Sequence, residues 1–225
     1  MKSSLPPPPP AVIRGPLLSA SPTPQELADL FTTGEIGHSE GIERAVEKGN
    51  SAVEGLRELL FSQTLRGSQQ EYADSGGLPP NKIFAVLALE KIGTSAAFEV
   101  LTEAAVSYVN VEIRGLSIQA LSKSCYQHAR KGEFIPLTSV VAALIQNLDN
   151  PTFIAATQGP VSQIAQEGLV RWLGLDFGDP QFREARKIDK GEAEISAAEY
   201  ARQWWQRNAD KIAWNGVSKH FEVQK

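Results

Sequence analysis

Two short groupings in the chain combine residue types that can do chemistry. Cys125 and His128 have the C-x-x-H spacing of half a zinc site, but a structural zinc site needs four ligands and no second pair follows. His38, Ser39 and Glu40 bring together a base, a hydroxyl and a carboxylate. Catalytic groups of that kind converge on a cleft from distant positions, whereas these three are sequence neighbours. We therefore interpret Cys125 as a buried or half-buried thiol, His128 as a surface residue and Ser39 as the cap of a helix.

Several motifs of nucleotide-binding and metal-binding sites are missing from the sequence. The phosphate-binding patterns GxxxxGK[ST] and GxGxxG and the zinc-binding pattern HExxH do not occur. Carboxylates pair only within charged stretches, such as Glu99 with Glu103 and Glu192 with Glu194, where they are usually solvated. The sequence therefore assigns no catalytic, cofactor-binding or metal-binding residue. We expect a protein that is not an enzyme and carries no cofactor.

Composition limits the class of protein. The chain has 225 residues, of which 42% are hydrophobic and 21% charged, which is ordinary for a folded soluble protein. Its net charge of −4 differs in sign from the basic field that nucleic-acid binders usually carry. A single cysteine excludes an internal disulfide. We expect a cytoplasmic monomer that binds neither nucleic acid nor membranes.

Residues 1–24 form a proline-rich leader that we predict to be disordered. Pro6 to Pro10 favour an extended polyproline II conformation. An arginine, a glycine and a proline interrupt the apolar island that follows, so a secretory signal is not indicated. The alternative is a docking peptide for an aromatic-lined groove of another protein. The folded part opens with a helix at Pro24, where Thr23 and Glu26 have the spacing of a capping box.

The most regular stretch lies between Lys82 and Ser124. Its first segment, KIFAVLALEKI, is apolar almost all the way round a helix, which predicts burial on every side, Leu87 included. Gly93 follows at a position where a left-handed conformation suits glycine, and Ser95 can cap the next helix. That helix carries a single apolar stripe, so the two helices form a hairpin that needs neighbours to bury its remaining surface.

A second copy of this unit follows 32 residues later. When Lys82 is aligned with Arg114 (114 − 82 = 32), Ala88-Leu89 falls on Ala120-Leu121. The segments ALEKIG and EIRGLSIQALSK resemble HEAT repeats of the short, lyase-associated bacterial type. The resemblance implies that the basic residue opens an inner helix and ties adjacent repeats together.

The same resemblance implies an all-α fold, a right-handed α-solenoid of about four to five antiparallel helical hairpins. Its last helix would run from Ala197 to Trp214. We divide the chain into the leader (1–24), a divergent N-terminal repeat or cap (25–66), a loop (67–80), HEAT-like repeats (81–215) and a C-terminal tail (216–225).

Four residues are candidates for contact with a partner. Lys82 and Arg114 would lie on the concave side or its edge, Tyr72 is in the 67–80 loop, and Trp205 is in the segment QWWQRNADKIAW. That segment resembles the closing part of bacterial HEAT-type proteins. Its aromatic side chains either cover the open end of the array or form a hot spot for a partner.

These observations favour a non-catalytic scaffold or adaptor. Such a protein would bind another protein through its concave face or through the 67–80 loop. A bilin lyase or chaperone-like protein is the alternative that the resemblance implies, and an absorbance titration with bilins tests it. A DNA-lesion-processing enzyme on the same scaffold is a third hypothesis, which needs a basic groove that the mildly acidic composition does not favour.

Overall fold

The computed structural model describes residues 17–32, 38–62, 80–154, 159–187 and 194–224. In these ranges the chain is mostly helical, as the sequence predicts, and nearly all of its buried apolar side chains belong to one core. Two short antiparallel hairpins are also present, so the fold is not purely helical. No described helix is long and apolar enough to span a membrane.

All the secondary-structure elements in the first part of the described chain are helices. Its helices are α1 (Pro24–Thr32), α2 (His38–Glu47), α3 (Val53–Phe61), α4 (Pro80–Ile92), α5 (Ser95–Ser107) and α6 (Val111–Ala120). A 3₁₀ turn (Gly49–Ala52) joins α2 to α3.

The second part adds shorter helices and the strands. A π-helical turn (Leu121–Cys125) continues α6 directly into α7. The elements that follow are α7 (Tyr126–Lys131), α8 (Ser139–Gln146), β1 (Phe153–Ile154), β2 (Gly159–Pro160), α9 (Val161–Leu173), a 3₁₀ turn (Pro180–Phe182), α10 (Arg183–Arg186), α11 (Ala197–Asn208), β3 (Ile212–Asn215) and β4 (His220–Val223). β1 pairs with β2 and β3 with β4, both antiparallel.

The C-terminal segment differs from the prediction. Helix α11 ends at Asn208 instead of continuing to Trp214, and the β3–β4 hairpin pairs Trp214 with Phe221. The side-chain oxygen of Asn215 accepts hydrogen bonds from the backbone N–H groups of Val217 (2.8 Å) and of the residue after it (3.3 Å). These bonds hold the turn of the hairpin. The loop between the paired residues Asn215 and His220 has four residues, and its left-handed residue is Lys219, with φ of 62°.

The capping box at Thr23 and the left-handed glycine after α4 are confirmed. The backbone N–H of Thr23 donates to the Glu26 carboxylate (2.8 Å), and the N–H of Glu26 donates to the Thr23 hydroxyl (3.2 Å). The bond from the Thr23 backbone is the largest of the effects that lower the pKa of Glu26 to about 2. Gly93 has the predicted left-handed conformation, with φ of +67°. The cap of α5, however, is Thr94 rather than Ser95.

The end of the predicted leader is packed on the fold. Residues 1–16 lie outside the described ranges, but Leu18 packs against the core and Pro22 is buried. The Lys48 ammonium group donates a hydrogen bond to the carbonyl of Leu18 (3.1 Å). The packed part of the described chain therefore begins before residue 24, at Leu18.

Contacts between helices follow two rows. In the first row α2 packs against α4, α4 against α6, and α6 against α9. In the second row α3 packs against α5, α5 against α8, and α8 against α11. Helix α1 lies against α2, α3 and α4, and strand β4 packs on α9. Each row places helices from successive segments of the chain next to each other.

Helix α4 is not enclosed on every side. Leu89 is fully buried, whereas Ile83, Phe84 and Leu87 are only partly buried against the core. The expectation that Leu87 is fully enclosed is therefore wrong. A helix that is apolar all round keeps an apolar surface in contact with solvent wherever its neighbours do not close around it.

Candidate functional site

Lys82 lies in the first turn of α4 and is only 4% exposed. Its ammonium group donates hydrogen bonds to the backbone carbonyls of Leu59 (3.0 Å), Leu60 (2.8 Å) and Ser62. Three donors thus meet three acceptors, at the end of α3, where helix carbonyls lack partners within the helix. The ammonium group joins α4 to α3. The role of Lys82 in partner binding stays a prediction that these contacts do not support.

Burial lowers the pKa of Lys82 to about 8, because desolvation disfavours the charged form. In the unfolded chain the pKa has its ordinary value of 10.5. Below pH 8 both states hold the proton, and the cost of burying the charge is complete. Between the two pKa values the unfolded chain keeps a proton that the folded protein has released. Raising the pH through this window therefore increases the free energy of unfolding.

Replacing Lys82 by Met should lower the free energy of unfolding at neutral pH by about 1–3 kcal/mol, because the carbonyls of Leu59 and Ser62 lose this donor and that of Leu60 keeps only the Tyr108 hydroxyl. Urea denaturation at a series of pH values checks this. The gain in stability above about pH 8 should be smaller in the variant than in the unaltered chain. Lys123→Met, at an exposed position, is the control and should change neither quantity. Unchanged stability in Lys82→Met would contradict the structural role of the ammonium group.

Arg114 lies in the first turns of α6, at the position that aligns with Lys82, but its contacts differ. The side chain is half-buried, and its Nε atom is buried without a hydrogen-bond partner in the described part of the chain. The end of α5 is instead reached by Asn147, whose amide donates to the carbonyl of Ala105 (3.0 Å). The two aligned basic residues therefore do not make equivalent contacts. Partner binding by Arg114 stays a prediction.

The two remaining candidates are placed differently. Tyr72 lies outside the described residues, as does the 67–80 loop apart from Pro80. Trp205 is half-buried and packs against the core, as does Trp204, whose ring centroid is 5.5 Å from that of Phe177. Part of the Trp205 side chain is open to solvent. Its contact with a partner stays a prediction.

Cys125 and His128 have separate environments. Cys125 is fully buried in the π turn, as predicted, and burial raises the pKa of its thiol. The Nδ1 atom of His128 pairs with the carboxylate of Glu133, and its ring centroid is 5.7 Å from that of Phe98. Among the described residues, no three His, Cys, Asp or Glu side chains come together in an arrangement that could hold a metal ion.

Ser39 belongs to the segment GHSEG, which matches the GxSxG pattern of hydrolase nucleophile elbows. In that motif the serine lies on a sharp turn between a strand and a helix. Here α2 begins at His38, so Ser39 lies inside its first turn, and the described element before it is helix α1. The structural context of the motif is therefore not met. The prediction that Ser39 caps the helix is also wrong, because the helix begins one residue before it.

The partly buried residues Ile83, Phe84 and Leu87 form an apolar strip along α4. Ile83 and Leu87 are one turn apart, and Phe84 lies beside them on the same side of the helix. Glu90 continues the strip by one further turn and accepts a hydrogen bond from the hydroxyl of Ser124 in the π turn. This contact marks the border of the strip toward α6.

Helix α2, which packs against α4, carries a row of acidic residues. Glu40, Glu43 and Glu47 follow each other at three- and four-residue steps on α2, and all three are exposed. Residues at this spacing share one face of a helix; we refer to them as the acidic row. Lys91, at the end of α4, forms an ion pair with Glu43. The pair therefore joins the acidic row to the C-terminal end of α4, one turn beyond Leu87.

Two cavities lined by described residues are small. One, between α5 and α8, is lined by Phe98, Cys125 and Val140 among others and has a volume of about 10 Å³. The other, lined by Leu169, Phe177 and neighbouring residues, has a volume of about 70 Å³. These volumes suit one or a few water molecules, and sites for drug-sized ligands are much larger. Neither cavity therefore has room for a drug-sized ligand.

Comparisons with known proteins do not identify a family for this chain. No family model, no curated protein and no solved structure matches it. The resemblance to HEAT repeats accordingly rests on the segments quoted above and stays a prediction.

Proposed function

We propose that the chain is a non-catalytic scaffold, built as an α-solenoid of helical hairpins, that binds another protein through the row of α2, α4, α6 and α9. The two rows of helix contacts support the solenoid, because each unit of a helical-repeat array packs on its neighbours. Polar bonds between successive units support it further. Arg57 of α3 pairs with Glu103 of α5 (2.9 Å), and Lys82 joins α4 to α3.

The observation that carries the binding role is the apolar strip. Helix α4 has no polar residue from Ile83 to Leu89, although one side of it is only partly buried. A surface helix normally carries polar residues on its solvent side. Ile83, Phe84 and Leu87 pack against the core and keep only part of their surface open, and neighbouring apolar side chains left partly open are a candidate for a surface that another protein covers. We therefore assign the strip as the centre of the contact with the partner.

Leu87 and Leu89 give a matched test of this proposal. Leu87→Ala should lower the free energy of unfolding by only about 1 kcal/mol, because the side chain is partly exposed. Leu89→Ala should lower it by about 2–5 kcal/mol, because that side chain is fully buried. In native co-purification with the tagged full chain, Leu87→Ala should reduce the captured partner about tenfold. Denaturation and quantitative mass spectrometry measure the two effects.

The control for capture is Val106→Ala. Val106 lies on α5, outside the strip, and is 39% exposed, so its truncation should leave the captured partner unchanged. Equal capture by Leu87→Ala and the unaltered chain would exclude the strip as the binding site. Turnover of a small molecule by the purified chain would argue against a non-catalytic scaffold.

A further inference from the structure

The C-terminal hairpin has one edge that the described part of the chain leaves uncovered. Strand β3 packs mainly against β4, whereas β4 also packs on α9. The backbone N–H of Gln224 donates to the carbonyl of Lys211 (2.7 Å), so these residues form a hydrogen-bonded pair just outside the two strands. Such pairs alternate with non-bonded pairs along an antiparallel ladder. Ala213 therefore bonds to β4, and the N–H and C=O groups of Ile212 and Trp214 point away from it.

The outer edge of β3 carries none of the features that protect a strand from pairing. Within the described ranges no other backbone group bonds to the outward groups of Ile212 and Trp214. Natural proteins protect such edges with charged residues, prolines, bulges or very short strands. The β1–β2 hairpin has two of these features, because its strands have two residues each and β2 contains Pro160. The sequence of β3, IAWN, has no charge and no proline, and it pairs with β4 without a bulge.

We propose that a second copy of the chain covers this edge, with its β3 paired antiparallel around a twofold axis at Ala213. In this register Ile212 lies opposite the partner's Trp214, and Trp214 lies opposite the partner's Ile212. Each pair joins residues whose N–H and C=O groups point outward, as a hydrogen-bonded pair requires. A β-branched residue beside an aromatic one is a favourable cross-strand pair. The two Ala213 side chains, which are exposed, meet at the axis and are small enough for the strands to approach.

Charge does not oppose this pairing. Lys211 lies opposite the partner's Asn215, and no like charges face each other along β3, because the strand carries no charge. The pairing joins two hairpins into one larger sheet, and a two-stranded sheet alone is only marginally stable. The edge is short compared with a standard interface of about 1,600 Å², so we expect a weak dimer with a Kd of about 10–100 µM. This surface is separate from the one proposed on α4, and it departs from the monomer expected from the sequence.

Sedimentation velocity of the full chain between about 1 and about 500 µM measures the association. Ala213→Lys should weaken it at least about tenfold, because two lysines then meet at the axis. Within one hairpin the same lysine lies opposite Glu222, so the midpoint of thermal denaturation should not change. An equal mixture of Ala213→Lys with Ala213→Glu should restore the dimer, because opposite charges meet at the axis. The matched control is Ala96→Lys, at an exposed position of α5, which should associate as the unaltered chain does.

Amide hydrogen exchange followed by NMR locates the contact. At a total concentration of about ten times the Kd, about one fifth of the chains are monomers. The amides of Ile212 and Trp214 should therefore exchange about fivefold more slowly in the unaltered chain than in Ala213→Lys at the same concentration. The amides of Phe221 and Val223 face the opposite edge of the hairpin. They are the control and should exchange equally in the two proteins.

Three outcomes would overturn this inference. The first is a chain that stays monomeric at about 500 µM. The second is a dimer that Ala213→Lys leaves unchanged, or one in which Phe221 and Val223 gain the protection, because the contact then lies elsewhere. The third is weak association of Ala213→Lys that the mixture with Ala213→Glu does not restore, because the substitution then acts on the hairpin itself. Capture of a partner through Leu87 is unaffected by all three.

Discussion

Replacing Trp172 by Ala should lower the free energy of unfolding by about 3–5 kcal/mol. The side chain is fully buried in α9. Its ring centroid lies 5.2 Å from that of Tyr126, 5.6 Å from that of Trp214 and 5.8 Å from that of Phe221. Aromatic contacts at these distances add to the free energy of burial. Truncation therefore opens a cavity where α7, α9 and the C-terminal hairpin meet.

Trp172 also holds the π turn in place. Its indole N–H donates to the carbonyl of Leu121 (3.0 Å), and the neighbouring Arg171 donates to the hydroxyl of Ser122 (2.8 Å). A π turn departs from the regular hydrogen-bond pattern of the α-helix, and buried backbone groups must find partners elsewhere. Helix α9 supplies donors at the place where α6 departs from regular geometry. Loss of Trp172 is therefore expected to loosen α6 and α9 together.

Chemical denaturation followed by circular dichroism measures this effect, and two variants separate its components. Trp172→Phe keeps an aromatic ring and loses the N–H donor, so it should cost about 1–3 kcal/mol. Trp205→Phe, at a half-buried position, should cost less than about 1 kcal/mol. Similar losses for Trp172→Ala and Trp205→Ala would contradict the central position of Trp172 in the core.

The sequence predicts those structural features that depend on residues close to each other in the chain. Apolar periodicity predicts the helices, and the capping box at Thr23 and the left-handed Gly93 follow from residues within one turn. The C-terminal hairpin requires pairing between strands, and helical periodicity alone extends α11 as far as Trp214. The Asn215-Gly216 dipeptide favours a turn, but the left-handed residue of this loop is Lys219, which no local sequence pattern marks. The ring contacts of Trp172 bring together separate segments, so no local pattern predicts them.

The candidate site was predictable only in part. The 32-residue alignment correctly places Lys82 at the start of a helix, but its ammonium group turns toward the end of α3. Arg114 shares the alignment and lacks equivalent contacts, and Asn147 contacts the end of α5. The apolar strip was expected to be buried, because hydrophobicity alone does not tell whether Leu87 faces a neighbour or solvent. Exposure depends on how the neighbouring helices pack.

The second large effect is expected for Gly55→Ala, which should lower the free energy of unfolding by about 3 kcal/mol. A Cβ atom at Gly55 would lie 2.1 Å from the carbonyl oxygen of Pro22 and 2.9 Å from Cδ1 of Leu27. The Leu27 side chain can turn aside, but the Pro22 oxygen is backbone and moves only if its segment moves. Residues 17–23 would therefore separate from α3. Thermal and urea denaturation of the full chain measure the loss.

Gly41→Ala is the matched control for this prediction. It is also a helical glycine, but its Cβ atom would meet the carbonyl oxygen of Leu30 at 3.3 Å, which a shift of a few tenths of an ångström relieves. The replacement of glycine by alanine inside a helix gains up to about 1 kcal/mol, so Gly41→Ala should be near neutral. In Gly55→Ala, chymotrypsin should also cleave more quickly after Leu17 and Leu18, because the released segment becomes accessible. Equal stability and equal cleavage for the two variants would show that residues 17–23 do not pack on α3 in solution.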